Sequence, residues 1–464
     1  MKLALRIAAL WFCLGLPQAE GIERPHIVYI LAGDLGWKDV GYHGGIIKTP
    51  ALDRLAQHGA RLERYYTLPY STQTRAALLT GRYPMRYGLQ TQSILAQNRY
   101  GLPKDERLLS EALKESGYRT VALGTWQLGH HRKEWWPTRR GFDYFLGSFS
   151  APGDSLRKTN ALGEPDWRRN EQLTRQEGLA TDLIGAEAVR VIEGHPAGMP
   201  LFLYLSFSAP EAPWPAPKKL PEGCAGVVET DRQGYCAMVV ALDNAVASVM
   251  AALEKSGVLD TTLVVFQSDN GGAVRNKFAT GDGDVPKAAA DSGPYRDGKG
   301  SYYEGALRVV ALAFWAGRIP PGIVAENIHV TDWYPTLLGI AGAKREQKKL
   351  IDGVDQWATL TEGKLSPRKE ILLGMEDFRG ALLRDNWKLI VSSRLPVRHE
   401  LYNVKDDPSE EDNRAEREAQ RVQEMLGRFN ELAWEMTPSL YLQDLSAPHK
   451  HEIPVYWGDN PIRP

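Results

Sequence analysis

The stretch His26-Ile27-Val28-Tyr29-Ile30-Leu31-Ala32-Gly33-Asp34 indicates the fold class of this chain. Its β-branched, aromatic and aliphatic residues are typical of a strand, and the run ends abruptly at a glycine and an acidic residue. A strand that is apolar on both faces belongs to a sheet that is covered on both sides. That is the usual environment of parallel strands.

Apolar runs of this kind alternate with helical patterns along the chain. The further buried strands that we predict are Thr120–Leu123, Leu201–Leu205 and Leu263–Phe266. Helical patterns run from Leu179 to Ile192 and from Tyr235 to Leu253, and Thr49-Pro50 supplies a cap and a first-turn proline for another helix. The alternation predicts an α/β fold, a mostly parallel sheet flanked by helices.

The pattern changes near residue 350. Short strands separated by turns are predicted at Ile371–Gly374, Ala381–Leu383 and Trp387–Val391, followed by a charged helix from about Ala415 to Glu435. We therefore expect a main domain over residues 20–350 and a small antiparallel-sheet subdomain over residues 351–464. The Gly- and Asp-rich stretch Asn276–Lys299 is predicted to be a long surface loop.

The first residues resemble a signal peptide. Lys2 and Arg6 precede the apolar run Ile7–Leu16, which is too short to span a bilayer, and cleavage is expected after Ala19. Cys13 raises lipidation as an alternative, but bulky residues stand where a lipid-attachment site has small ones. Residues 1–19 thus predict a secreted or periplasmic protein. No later stretch is expected to form a transmembrane helix.

Composition narrows the partners. The chain has 464 residues, of which 43% are hydrophobic, and its 56 basic and 57 acidic residues give a net charge of -1, so no nucleic-acid partner is expected. After removal of the leader, Cys224 and Cys236 remain. We favour a disulfide between them in an exported protein, with two independent thiols as the alternative.

Acidic and amide residues follow several predicted strands. Asp34, Glu211 and the pair Asp269-Asn270 all lie at strand ends, where open α/β sheets bind ligands. Two such ends, Asp34 and Asp269-Asn270, offer oxygen ligands for a hard cation such as Ca²⁺. Capping of the following helices explains the same residues equally well.

The segment from Ser71 to Pro84, STQTRAALLTGRYP, resembles the sulfatase signature C/S-x-P-x-R-x-x-x-L-T-G-R. Further blocks resemble the family in the family's order: Leu35–Gly41, Thr49–Asp53, Gly124–Gly129, Ser268–Gly272, Gly298–Gly305, Val330–Leu337 and Glu400–Asn403. The segments Arg132–Glu134 and Pro137–Asp143 are most similar to the arylsulfatase B type.

The resemblance implies an alkaline-phosphatase-like fold and a mechanism. In the family, the signature Cys or Ser is oxidised to formylglycine, calcium with Arg and Lys holds the sulfate, and His residues move protons. The resemblance assigns Ser71 to the nucleophile position, Arg75 to its neighbour and Lys299 to the sulfate. It assigns Asp34, Asp269 and Asn270 to the metal.

Several positions depart from the family pattern. Gln73 replaces the signature Pro, which makes conversion of Ser71 to formylglycine doubtful, and Gly33 replaces an Asp that binds calcium, which weakens that site. Thr125 replaces a Lys, Gln127 a His, and Glu211 a second His. The carboxylate of Glu211 is expected to repel a sulfate. His130 and His131 lie nearby in sequence but are displaced from the position of Gln127.

These losses favour a pseudosulfatase, a folded relative with little or no sulfate-ester hydrolysis that binds a sulfated or unsulfated glycan, a small ester or a partner protein. Losing one electrostatic stabiliser costs about 10²–10³ in rate, and losing an acid or base about 10²–10⁴. The alternatives are an active sulfuric ester hydrolase with formylglycine at Ser71, a redirected hydrolase, and a purely structural role. Trp37, Trp126 and Trp214 could stack on sugars, although packing is expected for the first two.

Overall fold

The computed structural model describes residues 24–217, 219–274, 289–344 and 348–447, with strand backbone at 456–457 and 460–461. The predicted signal peptide, residues 1–19, lies outside the described residues. The α-helices in the described parts are α1 Pro50–His58, α2 Ser71–Thr80, α3 Leu109–Glu115, α4 Ala180–Glu193, α5 Thr230–Lys255, α6 Glu304–Leu307, α7 Trp333–Ile340, α8 Trp357–Glu362, α9 Ala419–Ala433 and α10 Leu440–Ser446. The strands there are β1 His26–Ala32, β2 Ala60–Leu62, β3 Tyr65–Tyr66, β4 Arg119–Thr125, β5 Tyr144–Ser148, β6 Pro152–Asp154, β7 Thr159–Asn160, β8 Arg168–Arg169, β9 Gln172–Leu173, β10 Leu201–Ser206, β11 Thr262–Ser268, β12 Ala311–Phe314, β13 Gly322–Val324, β14 Ile328–His329, β15 Glu370–Met375, β16 Arg379–Arg384, β17 Trp387–Ser392, β18 Arg398–Asn403, β19 Tyr456–Trp457 and β20 Asn460–Pro461.

A ten-stranded sheet lies at the centre, in the order β13-β2-β12-β11-β1-β10-β4-β5-β8-β9. Its middle strands β11, β1, β10, β4 and β5 run parallel to one another. On the two flanks, β12 pairs antiparallel with β11 and β8 antiparallel with β5. The predicted mostly parallel sheet is thereby confirmed.

Alternate side chains of β1 belong to two separate cores. Ile27 and Tyr29 join the core that contains α2, α3 and α7, whereas Val28 and Ile30 join the core of α1, α4 and α5. Because successive side chains of a strand point to opposite faces, a sheet with helices on both sides has no polar face. This explains the unbroken apolar run at the start of the chain.

The C-terminal part folds as predicted into a small antiparallel sheet, in the order β15-β16-β17-β18. Helix α9 covers it with Val422, Met425 and Phe429. The helix expected from about Ala415 to Glu435 is shorter in the structure. It begins at Ala419, after a turn, and ends at Ala433. The predicted combination of an α/β main domain and a small antiparallel sheet is confirmed.

Helix α5 corrects one expectation about membranes. Residues Arg232–Lys255 are long and apolar enough to cross a bilayer, contrary to the prediction that no later stretch would be. Leu242 and Val246 are nevertheless fully buried in the core, and Asp243 accepts hydrogen bonds from backbone N–H groups of α1. A core helix of this length meets the same criteria, so the composition of α5 is weak support for a membrane span.

Two other boundaries differ from expectation. The helix predicted from Tyr235 to Leu253 extends over Thr230–Lys255, because its polar first turn carries no apolar period. The stretch predicted as a surface loop, Asn276–Lys299, is described from residue 289 onward. Its described end has no helix or strand, as predicted; Gly293, Pro294 and Arg296 are exposed there, whereas Ala289 and Tyr295 are buried.

Cys224 and Cys236 form a disulfide, with their Cα atoms 5.9 Å apart. The bond joins the loop before α5 to the first turns of that helix. The pairing that we favoured over two independent thiols is confirmed. A disulfide of this kind is typical of proteins in oxidising compartments.

A fully buried triad of charges joins the small sheet to the main domain. Lys388, on β17, places its Nζ atom 3.0 Å from Glu304 Oε1 and 2.8 Å from Glu410 Oε1. The backbone N–H of Glu304 also donates to Glu410 Oε2 at 2.6 Å. Burial raises the pKa of Glu410 to about 7 against the opposing charge of Lys388, because two carboxyl groups share one ammonium.

We expect the substitution Glu410→Gln to change how stability depends on pH. A carboxyl group whose pKa is raised on folding stabilises the protein below its unfolded pKa, and this contribution is lost as the pH rises through about 7. Gln cannot ionise, so the variant does not lose this contribution. Between pH 4.5 and pH 8 its free energy of unfolding should therefore rise relative to that of the parent by on the order of 2–3 kcal/mol. Urea unfolding across this range measures the difference; a constant difference would contradict the prediction.

Candidate active site

The residues singled out at strand ends meet at one edge of the sheet. Four neighbouring parallel strands, in the order β11-β1-β10-β4, end there. Asp269-Asn270 follows β11, and Gly33-Asp34 follows β1. The segment up to Glu211 follows β10, and Gln127 comes shortly after β4. Asp34 and Gln127 both have positive φ angles, of 60° and 57°. Such backbone strain in non-glycine residues clusters at functional sites.

Helix α2 brings the nucleophile position to this edge. Ser71 is its first residue, is fully buried, and donates from its hydroxyl to Asn270 Oδ1 at 3.3 Å. Gln73, which stands at the signature Pro position, donates from its side-chain amide to the carbonyl of Gln90. The predicted nucleophile and the metal-position residue Asn270 are thus neighbours.

Arg75 is committed to a carboxylate. Its Nη1 atom lies 2.5 Å from Asp269 Oδ2, and both side chains are fully buried. Its Nε atom donates to Ser206 Oγ at 3.2 Å. Burial lowers the pKa of Arg75, but the charge of Asp269 outweighs burial and holds that pKa above its ordinary value. The guanidinium is therefore a permanent partner of Asp269.

Lys299 does not stand apart as a free sulfate-binding cation. Its Nζ atom lies 2.7 Å from Asp34 Oδ1 and 2.8 Å from Asp34 Oδ2, and 3.0 Å from Glu211 Oε1. Burial lowers the pKa of Lys299, but the carboxylates of Asp34 and Glu211 outweigh it and raise the pKa above its ordinary value. Burial also raises the pKa of Asp34 to about 7, despite the opposing charge of Lys299.

The side chains at the metal position do not fit a calcium ion. Asn270 directs its Nδ2 amide, a donor, to Asp34 Oδ1 at 2.8 Å, and the ammonium of Lys299 contacts both oxygens of Asp34. A hard cation needs oxygen atoms, not N–H donors, facing it. In the described ranges, no group of three or more His, Cys, Asp or Glu side chains is arranged to hold a metal ion.

Thr125 and Gln127, at the end of β4, are neutral and buried. Thr125 ends β4, and the backbone carbonyl of Gln127 accepts a hydrogen bond from Thr72 Oγ1 at 3.0 Å. Burial lowers the pKa of His130 to about 4. A ring with so low a pKa is a neutral imidazole at neutral pH, so His130 carries no positive charge. Burial also lowers the pKa of His131.

The three candidate tryptophans differ in their surroundings. Trp37 stacks on His43 with ring centroids 4.0 Å apart, and Trp126 donates from its indole to the carbonyl of Trp135. Both are buried, as expected of packing residues. Trp214 is half-buried and donates to the carbonyl of Pro210 at 2.7 Å, next to Glu211. Only Trp214 of these three remains a candidate for contact with a sugar.

Two polar residues of the site were not anticipated from the sequence. Ser206, the last residue of β10, contacts Arg75, and Gln90 accepts from Gln73. Position at a strand end could have signalled Ser206. No pattern in the sequence marks Gln90, because it contributes only its backbone carbonyl and lies in an irregular segment.

Known proteins resemble this chain in sequence and fold. The family model Sulfatase matches residues 25–343. Arylsulfatase J of Mus musculus is 35% identical over 375 residues, which cover 79% of this chain and 61% of that protein. N-acetylgalactosamine-6-sulfatase of Mus musculus is 34% identical over 378 residues, covering 76% of this chain and 70% of that protein.

A solved structure extends the likeness to almost the whole fold. The crystal structure of Ps i-CgsB superposes with a TM-score of 0.82 at 28% identity, covering 92% of this chain and 98% of that one. Ps i-CgsB has also been solved in complex with k-i-k-neocarrahexaose. The likeness covers both the large sheet and the small C-terminal one.

Proposed function

The chain belongs to the sulfatase family, and from this membership we propose that it is a pseudosulfatase whose cleft binds an unsulfated sugar instead of hydrolysing a sulfate ester. One observation carries the proposal. This chain retains two of the cations with which the family holds sulfate. Both are already paired with carboxylates. Arg75 is paired with Asp269, and Lys299 with Asp34 and Glu211.

The charge balance of the cleft supports this proposal. Its described ionisable side chains are three carboxyl groups, Asp34, Asp269 and Glu211, against two cations, Arg75 and Lys299. An anion entering such a site gains no net attraction, and in a low-dielectric pocket repulsion between like charges is strong. A sulfate is therefore a poorer ligand than a neutral group.

The nucleophile position supports the loss of hydrolysis. Gln73 replaces the signature Pro, and an unconverted Ser71 carries one hydroxyl where formylglycine hydrate carries two. A single hydroxyl could accept a sulfuryl group but has no second hydroxyl to expel it. In the described structure no buried His or Lys side chain faces Ser71 as a hydrogen-bond partner. The proton transfers that the family assigns to His therefore lack a donor.

The buried polar atoms of the site favour a hydroxyl-bearing ligand. Among the described residues, Gln127 Oε1 and Glu211 Oε2 are buried acceptors without a hydrogen-bond partner, and Arg75 Nη2 is a donor without one. Buried polar groups without partners are costly, so a ligand that satisfies them gains affinity. A sugar hydroxyl both donates and accepts, whereas a sulfate ester only accepts.

Turnover and mass spectrometry test the loss of catalysis. The mature protein is incubated with 4-nitrophenyl sulfate and with N-acetylgalactosamine 6-sulfate, beside an active arylsulfatase. We expect turnover at least about 10³-fold below that of the active enzyme, because an acid–base group and an electrostatic group are missing. We also expect the Ser71 peptide to have the mass of unmodified Ser. Robust turnover that Ser71→Ala abolishes, or formylglycine at this position, would instead support the rival function, an active sulfuric ester hydrolase.

Calorimetry tests the ligand. N-acetylgalactosamine and its 6-sulfate are titrated into the same protein preparation, and we expect the neutral sugar to bind more tightly. The variant Glu211→Gln, which removes one negative charge, should narrow the difference between the two sugars. Tighter binding of the sulfate ester by the parent protein would exclude the proposed preference.

A further inference from the structure

We infer that the ammonium of Lys299 takes the place of the family's calcium ion, and that Glu211 supplies the carboxylate that was lost at Gly33. This inference rests on the proposed function, since it concerns the same cleft. It concerns three positions: Lys299, Glu211 and Gly33.

The contacts of Lys299 are those of a resident cation. Its Nζ atom donates hydrogen bonds to Asp34 Oδ2 at 2.8 Å and to Glu211 Oε1 at 3.0 Å, and lies 2.7 Å from Asp34 Oδ1. Its side chain is 16% exposed, so water screens these contacts little. An ammonium in this position neutralises carboxylates that would otherwise be buried without a partner, which is the structural part of a metal ion's role.

The neighbouring amide is oriented for hydrogen bonding and not for metal binding. Asn270 donates from Nδ2 to Asp34 Oδ1 at 2.8 Å and accepts from Ser71 Oγ through Oδ1 at 3.3 Å. The remaining carboxylate, Asp269, contacts Arg75 through Oδ2 and accepts from the backbone N–H of Asp34 through Oδ1. Every described side chain at the family's metal position therefore has a partner within the protein.

Gly33 and Glu211 are linked through one segment of backbone. The N–H of Gly33 donates to the carbonyl of Ala209 at 3.0 Å, and a Cβ atom built on Gly33 would lie 2.7 Å from the backbone oxygen of Ser208. An Asp at position 33 would thus require the segment from residue 207 to 211 to move away. The same close approach of this segment brings Glu211 to Lys299. One carboxylate is lost and another gained, so the local count of carboxylates is conserved.

Calcium binding, and not activity, tests the inference. Calcium chloride is titrated calorimetrically into the parent protein and into Lys299→Met, and melting temperatures are compared in calcium and in EDTA. We expect no heat and no shift for the parent. For Lys299→Met we expect a lower melting temperature in EDTA and a rise in calcium, because Asp34 and Glu211 are left without their cation. Its calcium affinity should exceed that of the parent at least tenfold.

Two further variants complete the experiment. Lys38→Met removes an exposed lysine near the same edge and should behave as the parent does. The double variant Lys299→Met/Glu211→Gln should lose the calcium response and recover part of the melting temperature. If Lys299→Met alone does not fold, the calcium response of this double variant tests the inference in its place. Calcium binding by the parent, or a double variant that still responds to calcium, would overturn the inference. Sulfate-ester turnover without calcium binding would overturn the proposed function and leave this inference standing.

Discussion

Replacing Lys388 with Met is expected to lower the free energy of unfolding by about 3–5 kcal/mol. The substitution keeps much of the side-chain volume but leaves the fully buried carboxyl group of Glu410 without its cation and removes the nearer of the two cations that contact Glu304. Glu304 keeps Arg308 Nη1 at 3.7 Å and a hydrogen bond from Tyr66 at 3.0 Å, so most of the loss is expected from Glu410. Urea unfolding measures the loss.

The matched control is Lys405→Met, an exposed lysine in the turn after β18, which should change stability by less than about 0.5 kcal/mol. The loss for Lys388→Met should be smaller at pH 5 than at pH 8, because the unpaired carboxyl groups can then take up protons. Adding Glu410→Gln to Lys388→Met should recover part of the loss. A loss below about 1 kcal/mol at pH 8 would show that the triad does not hold the small sheet to the main domain.

The central sheet could be predicted because its strands are apolar on both faces. The runs at His26, Thr120, Leu201 and Leu263 all begin strands within two residues of the prediction. The flanking strands could not be found in this way, since Ala60–Leu62 and Gly322–Val324 are only three residues long and depend on pairing with distant parts of the chain.

Helix α2 shows a different limit. All ten of its residues, from Ser71 to Thr80, are buried, so no polar face produces a helical period. The family motif located this segment, but periodicity could not. Similarly, the strand Tyr144–Ser148 has too few residues to be told from a turn by its pattern alone.

At the candidate site, residue identities were predictable and partners were not. The resemblance placed Lys299 near a sulfate, whereas its Nζ atom contacts Glu211, a residue 88 positions away in sequence. Two substitutions that look like independent losses in the sequence, at Gly33 and Glu211, are adjacent in space through the segment that contains Ala209. Only the three-dimensional arrangement brings these two positions together.

Two residues of the site have strained backbone conformations. Asp34 and Gln127 have left-handed backbone angles, which cost about 1–3 kcal/mol each in non-glycine residues and persist where the surroundings enforce them. Nearby, Arg75 and Lys299 are paired with carboxylates of the protein. We therefore expect the residues of this cleft to contribute to stability, whereas active-site residues commonly reduce it.

Arg75 gives the sharpest test of this expectation. The substitution Arg75→Met should lower the free energy of unfolding by about 3–5 kcal/mol, because Asp269, also fully buried, is left without its cation. The exposed residue Arg54, on α1, is the matched control, and Arg54→Met should have little effect. Chemical denaturation at neutral pH compares the two variants with the parent.

The double variant Arg75→Met/Asp269→Asn distinguishes a lost ion pair from lost packing. Asn keeps the shape of Asp and can still accept the backbone N–H of Asp34, but it carries no charge. If the loss in Arg75→Met comes from an unpaired buried carboxylate, the double variant should recover most of it. If the double variant is no more stable than Arg75→Met, Arg75 acts through packing alone. The charge of Arg75 would then not contribute to the stability of the fold.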